Sequence, residues 1–158
     1  MTLKRFLLYF HSKFVMSPNM KDIKKILEDV EIKPTYERLS ILQYLDKNYN
    51  HPTAAMIYEE VLKRVPTISK TTVYNSLKLF MEKGIVTPLY ITGSEVRYDL
   101  NTKQHHHFFC EQCGKIYDLT IDCPYMKKTK IQGHQIKQKH GYFRGICKSC
   151  LEKDKNNK

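Results

Sequence analysis

The chain has 158 residues, 41% of them hydrophobic, and a formal net charge of +11. That length and apolar content suit one compact domain or two small ones and exclude wholesale disorder. No run approaches the roughly 18 apolar residues that cross a bilayer. The basic balance favours a polyanionic partner, but the charge is spread along the chain and does not alone single out nucleic acid.

Residues 1–19 form a separate extension. MTLKRFLLYFHSKFV starts basic and apolar, but His11 and Lys13 interrupt it and no small-residue cleavage site follows; this argues against a secretory signal. One reading is a basic amphipathic helix. The simpler one is an upstream start, with Met16 or Met20 as the true beginning, and the extension is left out of the fold.

From Met20 the pattern is helical. Ile23, Ile26, Leu27 and Val30 recur at three- and four-residue spacing. Pro34 ends the run and Thr35 caps a second helix with Leu39, Ile41, Leu42 and Leu45 on its stripe. Residues 48–52 read as a turn. Thr53 caps a third helix bearing Ile57, Val61 and Leu62, and Pro66 breaks it. Ser69 caps a fourth, with Val73, Leu77 and Phe80 on one stripe and Gly84 at its C′ position. The opposite face of that helix carries Lys70, Thr71, Tyr74, Asn75 and Lys78, a set of donors around a flat aromatic. Two β-rich runs in IVTPLYITGSEVRYDL then flank Thr92-Gly93-Ser94, which reads as a hairpin. Helices followed by a hairpin make a winged helix-turn-helix over residues 20–100, with the fourth helix suited to the major groove and the hairpin to the backbone.

Composition shifts after Leu100. Residues 101–104 are polar and read as a hinge. Residues 105–152 are strand-like in HHFFC, KIYDLTI, HQIKQ and YFRGIC. A short helix is expected around Met126 to Ile131, and residues 153–158 (KDKNNK) are expected to fray. The fold class is therefore α+β, a winged-helix domain followed by a small α/β domain.

Four of the five cysteines fall in two C-x2-C pairs, Cys110/Cys113 and Cys147/Cys150, separated by 33 residues. Two thiolates from each of two tight knuckles give the closed tetrahedral sulfur site of a structural Zn2+, which leaves no open position for chemistry. Gly114 follows the first knuckle, where positive φ is often required. Such pairs suit a reducing cytoplasm better than a disulfide framework. Cys123 stands alone and reads as an ordinary core or surface residue.

His105 and His107 are two apart and on a strand face the same way, with His106 facing the other. Asp118 lies on the returning strand, and Asp99 sits across the hinge. Two His with one or two Asp form a mixed nitrogen and oxygen set that suits Fe2+, Mn2+ or Zn2+. On spacing alone, a solvated histidine run is an equal alternative.

HPTAAMIYEEV, SKTTVYNSLKLFMEKGIV, RYDL, HHHFFCEQCGKIYDL and GICKSC occur in this order between about Ile32 and Cys150. In these pieces the chain resembles the ferric uptake regulator (Fur) superfamily, its peroxide-stress branch above all. The resemblance implies a homodimeric, metal-dependent transcriptional repressor. Its winged helix binds a pseudo-palindromic double-stranded DNA operator, and its C-terminal domain dimerises and carries the zinc of Cys110, Cys113, Cys147 and Cys150. It supplies one ligand that spacing does not, His51 of the HPTA segment. The implied regulatory set is His51, Asp99, His105, His107 and Asp118, holding Fe2+ or Mn2+, with Zn2+ as a substitute. His106 falls where a ligand is not typical. Tyr74 and Asn75 are assigned to bases, and Lys70, Thr71 and Arg38 to phosphates or nearby bases.

Asp118 points to peroxide sensing, since iron-sensing members more often carry Glu there; bound Fe2+ would then direct oxidation to His51 or His105. Some features depart from the family. Thr35-Tyr36-Glu37-Arg38 lacks the usual proline, and the helix after Asp118 looks short. Gln138 and Lys139 replace the histidine of an additional metal site, with His140 one position further on. The competing readings are an iron- or zinc-uptake regulator of the same family and, remotely, a metal-dependent hydrolase. The hydrolase lacks a general base or pocket signature, so the chain is expected not to be an enzyme.

Overall fold

The computed structural model describes residues 20–102, 105–137, 139 and 141–156. The N-terminal extension, part of the hinge, and Gln138 and His140 therefore lie outside the described residues. The chain divides into two compact units. The first runs to Tyr90 and includes Ser94–Thr102; the second takes Ile91–Gly93 and the residues beyond Thr102.

Among the described residues the first unit is built from four helices and a two-stranded ladder: α1 (Met20–Asp29), α2 (Tyr36–Lys47), α3 (Ala54–Leu62), α4 (Lys70–Glu82), β1 (Thr87–Leu89) and β2 (Arg97–Asp99). Three helices start where a hydroxyl takes up an orphan amide. The Arg38 amide donates to Thr35 Oγ1 at 3.4 Å, that of Met56 to Thr53 Oγ1 at 3.2 Å, and that of Thr72 to Ser69 Oγ at 3.0 Å. At the end of α4, Gly84 takes φ +69°, so the Ile85 amide reaches back to the Phe80 carbonyl at 2.8 Å. That bond closes a Schellman turn, and the αL backbone at its C′ position is the reason for the glycine.

The apolar stripes of the four helices meet in one core. Ile23, Leu27, Ile41, Leu42, Ile57, Val61, Val73, Leu77, Phe80 and Ile85 are all buried there. Each such side chain contributes about 1.5–3 kcal/mol by leaving water. The antiparallel ladder pairs Thr87 with Asp99, Pro88 with Tyr98 and Leu89 with Arg97. It is shorter than the β-rich runs suggest, because residues 90–96 form an open connection rather than a tight turn on Thr92-Gly93-Ser94.

The second unit is a three-stranded sheet of order β4-β3-β7, with β3 (His106–Cys110), β4 (Ile116–Leu119) and β7 (Gly141–Gly145). Strand β4 pairs antiparallel with β3, placing His107 opposite Asp118; β7 pairs parallel with β3, placing Cys110 opposite Gly145. Between β4 and β7 the chain makes one 3-10 turn (Pro124–Lys127) and a small hairpin of β5 (Lys130–Ile131) and β6 (His134–Gln135). The helix expected around Met126 to Ile131 is thus a single turn begun by Pro124, and its second half is strand. Helix α5 (Lys148–Asn156) closes the unit. Where residues 153–158 were expected to fray, the helix runs through Asn156, and residues 157 and 158 lie outside the described residues. Basic Lys153 and Lys155 in its last turn suit the negative end of the helix dipole. Among the described residues no helix is long and apolar enough to cross a membrane.

Phe80 is fully buried at the centre of the first unit. Phe80→Ala should lower the unfolding free energy of that unit by about 3–5 kcal/mol, read from the urea midpoint at constant slope.

Candidate metal centres and DNA-facing helix

Strand β3 ends in Cys110, and the chain then turns sharply. The Gly114 amide donates to the Cys110 carbonyl at 2.9 Å with Gly114 at φ +68°, and the Cys110 amide donates to the Lys115 carbonyl at 2.9 Å. This knuckle returns Cys113 beside Cys110. The second pair straddles the start of α5, where the Cys150 amide donates to the Cys147 carbonyl at 3.0 Å. The Glu111 amide donates to the Gly145 carbonyl at 2.8 Å and ties the two knuckles together across β7.

All four cysteine sulfurs lie within 4.8 Å of one another. Cys110 Sγ is 3.9 Å from Cys150 Sγ, and Cys113 Sγ is 3.8 Å from Cys147 Sγ. A tetrahedron with bonds of about 2.3 Å has edges of about 3.8 Å, so the thiols already stand at the corners that Zn2+ requires. Their acidities tell the same story. Burial works to raise the Cys110 thiol, but N–H groups of Cys113, Cys147 and Gln112 outweigh it and bring it down to about 6. The Cys147 amide stands 3.2 Å from the Cys110 sulfur. Cys147 is lowered as well, first by the Tyr117 hydroxyl and then by the Cys150 amide, against burial. Cys150 is pushed up to about 12, first by its hydrogen bond to Cys147 and then by burial. Four adjacent thiols cannot all ionise together unless a dication offsets the charge.

Tyr117 is a site residue the cysteine spacing does not reveal. Its hydroxyl bonds Cys147, and this bond, with burial second, holds the phenol above its usual range. That hydrogen bond favours the anionic form of the Cys147 sulfur, the form a metal would bind. The signal was available in the alternation of β4: Tyr117 is paired with Phe108, and its neighbour Asp118 with His107, on opposite faces of the sheet.

On that other face, His105 Nε2 is 3.2 Å and His107 Nε2 3.6 Å from Asp118 Oδ1, and the two imidazole centroids are 4.2 Å apart. Bonds of about 2.1 Å place neighbouring nitrogen and oxygen ligands about 3.0–3.4 Å apart, so these three side chains suit one divalent cation. His107 is buried while Asp118 is 41% exposed, which leaves the carboxylate side open to water. His106 faces the other way as expected. It is buried edge-on to Phe143 and against Gly141, whose lack of a Cβ makes room for the ring.

In the first unit, His51 Nε2 lies 4.0 Å from Asp99 Oδ1 with both side chains buried. The Asn101 amide donates to Asp99 Oδ1 at 2.8 Å and fixes the carboxylate. His51 itself takes φ +47°. Cys123 is half-buried just before the 3-10 turn and belongs to neither cluster.

Helix α4 separates its faces as its sequence demands. Val73, Leu77 and Phe80 are buried, whereas Lys70, Thr71, Tyr74, Asn75 and Lys78 are exposed. Lys70 Nζ lies 5.6 Å from the centroid of the Tyr58 ring. Arg38 is half-buried, and its Nη1 donates to the Lys33 carbonyl at 2.9 Å, bracing the entry to α2.

The profile of the ferric uptake regulator family matches residues 29–150. The peroxide-responsive repressor PerR of Staphylococcus aureus (strain Mu50) is 36% identical over 135 residues, or 80% of this chain and 88% of that protein. Among solved structures, the Vibrio cholerae ferric uptake regulator has a TM-score of 0.65 at 28% identity, over 78% of this chain and 98% of its own. The Campylobacter jejuni peroxide stress regulator has a TM-score of 0.61 at 26% identity, over 84% of this chain and 99% of its own.

Cys113→Ser removes one corner of the sulfur tetrahedron. The purified variant should lose its zinc, read by a colorimetric chelator after denaturation. Its second unit should become susceptible to limited proteolysis while the first unit stays intact.

Proposed function

We propose that this chain, which belongs to the ferric uptake regulator family, is a peroxide-sensing repressor whose regulatory cation takes ligands from both units: His51 and Asp99 from the first, His105, His107 and Asp118 from the second. Cys110, Cys113, Cys147 and Cys150 would hold a structural Zn2+. The observation that carries the reading is the Asp118 carboxylate, which stands within reach of both His105 and His107. The similarity to peroxide-responsive repressors supports the choice of signal.

Neither half of the donor set is large enough alone for a five- or six-coordinate Fe2+ or Mn2+. A cation that completes its shell therefore restricts how the helix-bearing unit is held. In a homodimer this restricts the spacing of the two α4 helices, which must match half-sites one helical repeat apart on a pseudo-palindromic operator. Tyr74 and Asn75 face the bases, and Lys70, Thr71 and Arg38 supply contacts to phosphates. Metal and DNA then strengthen each other reciprocally, by about 5- to 150-fold. Held by His51, Asp99, His105, His107 and Asp118, an Fe2+ ion would supply the reducing equivalents for peroxide and would direct the resulting oxidation to the neighbouring imidazoles. A ring of His51 or His105 that gains an oxygen is a poorer ligand, and the restriction on the helix-bearing unit is lost. Mn2+ in the same place represses without this response. A free-thiol zinc site is consistent with a reducing cytoplasm.

An iron-uptake regulator is the second reading, supported by the similarity to the Vibrio cholerae protein. Gel shifts with Fe2+, Mn2+ or Zn2+, with and without peroxide, separate the two. The peroxide reading expects only the Fe2+ complex to dissociate, with one oxygen gained on a histidine peptide in the mass spectrum. An Fe2+ complex indifferent to peroxide would leave the uptake reading standing. His105→Ala should keep the zinc and the far-UV spectrum yet lose the metal-dependent part of operator affinity, about 5- to 150-fold. Asp118→Glu should keep Fe2+-dependent binding and blunt the peroxide response; an unaltered response would remove Asp118 as the determinant.

A further inference from the structure

The ligand assigned to the first unit sits on unusual backbone. His51 has φ +47°, in the left-handed region that residues other than glycine occupy uncommonly and at a cost their surroundings must offset. What imposes it is the strand β2. The Tyr98 amide donates to the Pro52 carbonyl at 3.0 Å, and Thr53 forms an antiparallel bridge with Arg97. Thr53 in turn caps α3. The short segment from His51 to Thr53 is thus laced along the strand that carries Asp99.

Arg97 adds a side-chain bond to this lacing. Its Nη1 stands 3.4 Å from the His51 carbonyl and 3.5 Å from Met56 Sδ, and its Nε is buried without a hydrogen-bond partner among the described residues. A half-buried guanidinium ordinarily pairs with a carboxylate. This one instead spends its polar contacts on the carbonyl of a ligand residue and on the first turn of the helix behind it. Side chains two apart on a strand share a face, so Arg97 and Asp99 are also set by the same stretch of β2. One strand therefore delivers the carboxylate and fixes the backbone of its histidine partner.

We propose that Arg97 is a positioning residue for the regulatory cation, acting through His51: it holds the His51 backbone in the left-handed conformation that keeps the imidazole 4.0 Å from Asp99 Oδ1. Removing a group that orients a metal ligand typically costs about 10- to 100-fold in metal affinity, and that is the loss expected here. The inference rests on the reading of His51 as a ligand.

The test is a double-variant cycle on the full-length, zinc-loaded chain, with Mn2+ alone as the probe and free Mn2+ followed by electron paramagnetic resonance. Arg97→Gln should weaken Mn2+ binding by about tenfold or more. In a His51→Ala background the same change should add less than about twofold, because the group it orients is already gone. Arg97→Met, which keeps the aliphatic stem and loses every donor, completes the same cycle if the glutamine variant does not fold by circular dichroism. Unchanged Mn2+ affinity in the folded variant overturns the proposal. So does an equal loss in both backgrounds, which marks a general structural role. If His51→Ala itself leaves Mn2+ affinity intact, the ligand reading falls and takes this inference with it; if it weakens binding and the Arg97 variants do not, only this inference falls.

Discussion

Four thiols held within 4.8 Å of one another are the constraint on which the second unit depends. Three of them, Cys110, Cys147 and Cys150, make up its buried cluster, and among the described residues Phe108 and Tyr117 pack against them. The first unit buries an extensive set of aliphatic side chains; among the described residues the second has no comparable apolar interior. A sheet of three short strands does not bury enough surface to offset its ordering entropy. On the proposed reading, zinc thiolate bonds would supply what packing does not, since the binding free energy of a structural zinc is folding free energy. The spread of acidity in the cluster, from about 6 at Cys110 to about 12 at Cys150, reflects the same dependence. Without a dication the sulfurs compete for protons, and with one they are bound as anions.

The consequence reaches the other face of the sheet. Strand β3 carries Cys110 at one end and His106–His107 at the other, and both knuckles fix its register against β4 and β7. A one-residue slip between β3 and β4 would turn every side chain to the opposite face. It would separate His107 from Asp118 and bring Tyr117 to the wrong side. The tetrahedral sulfur site therefore sets the geometry of the nitrogen and oxygen donors without touching them. The two centres differ in openness for a chemical reason. A closed sulfur site suits a permanent ion, and an exposed carboxylate beside two imidazoles suits an ion that comes and goes.

Much of this was legible in the chain because the relevant signals are local. Thr35, Thr53 and Ser69 cap helices through contacts three residues away, and the stripes of Ile, Leu and Val recur at the helical period. Two C-x2-C knuckles announce a tetrahedral site whatever lies between them. The parts that were not legible depend on distant residues. Residues 153–156 are polar and lack a stripe, so nothing in their pattern favours helix; their helicity follows from the knuckle at Cys147–Cys150, which nucleates the first turn. The expected helix near Met126 yielded to Pro124 and a hairpin. His51 carries no spacing signal at all, and only resemblance to a family pointed to it. Arg97 was invisible for the same reason, because its partner is 46 residues away in sequence.

On the proposed reading, the first unit is a DNA-binding fold prepared to respond to a cation. Strand β2 belongs to the two-stranded ladder that follows α4, and it also pairs with the segment that carries His51. The left-handed backbone at His51 is unfavourable in isolation and is sustained by that pairing. A ligand set held this way loses little entropy when the ion arrives, so more of the binding free energy remains to restrain the unit. Were His51 on a free loop, the same ion would first have to order it, and the coupling to DNA would weaken by that cost. On the proposed reading, preorganisation of the small His51–Asp99 half is therefore what lets a weakly held, exchangeable cation govern a much larger protein–DNA contact.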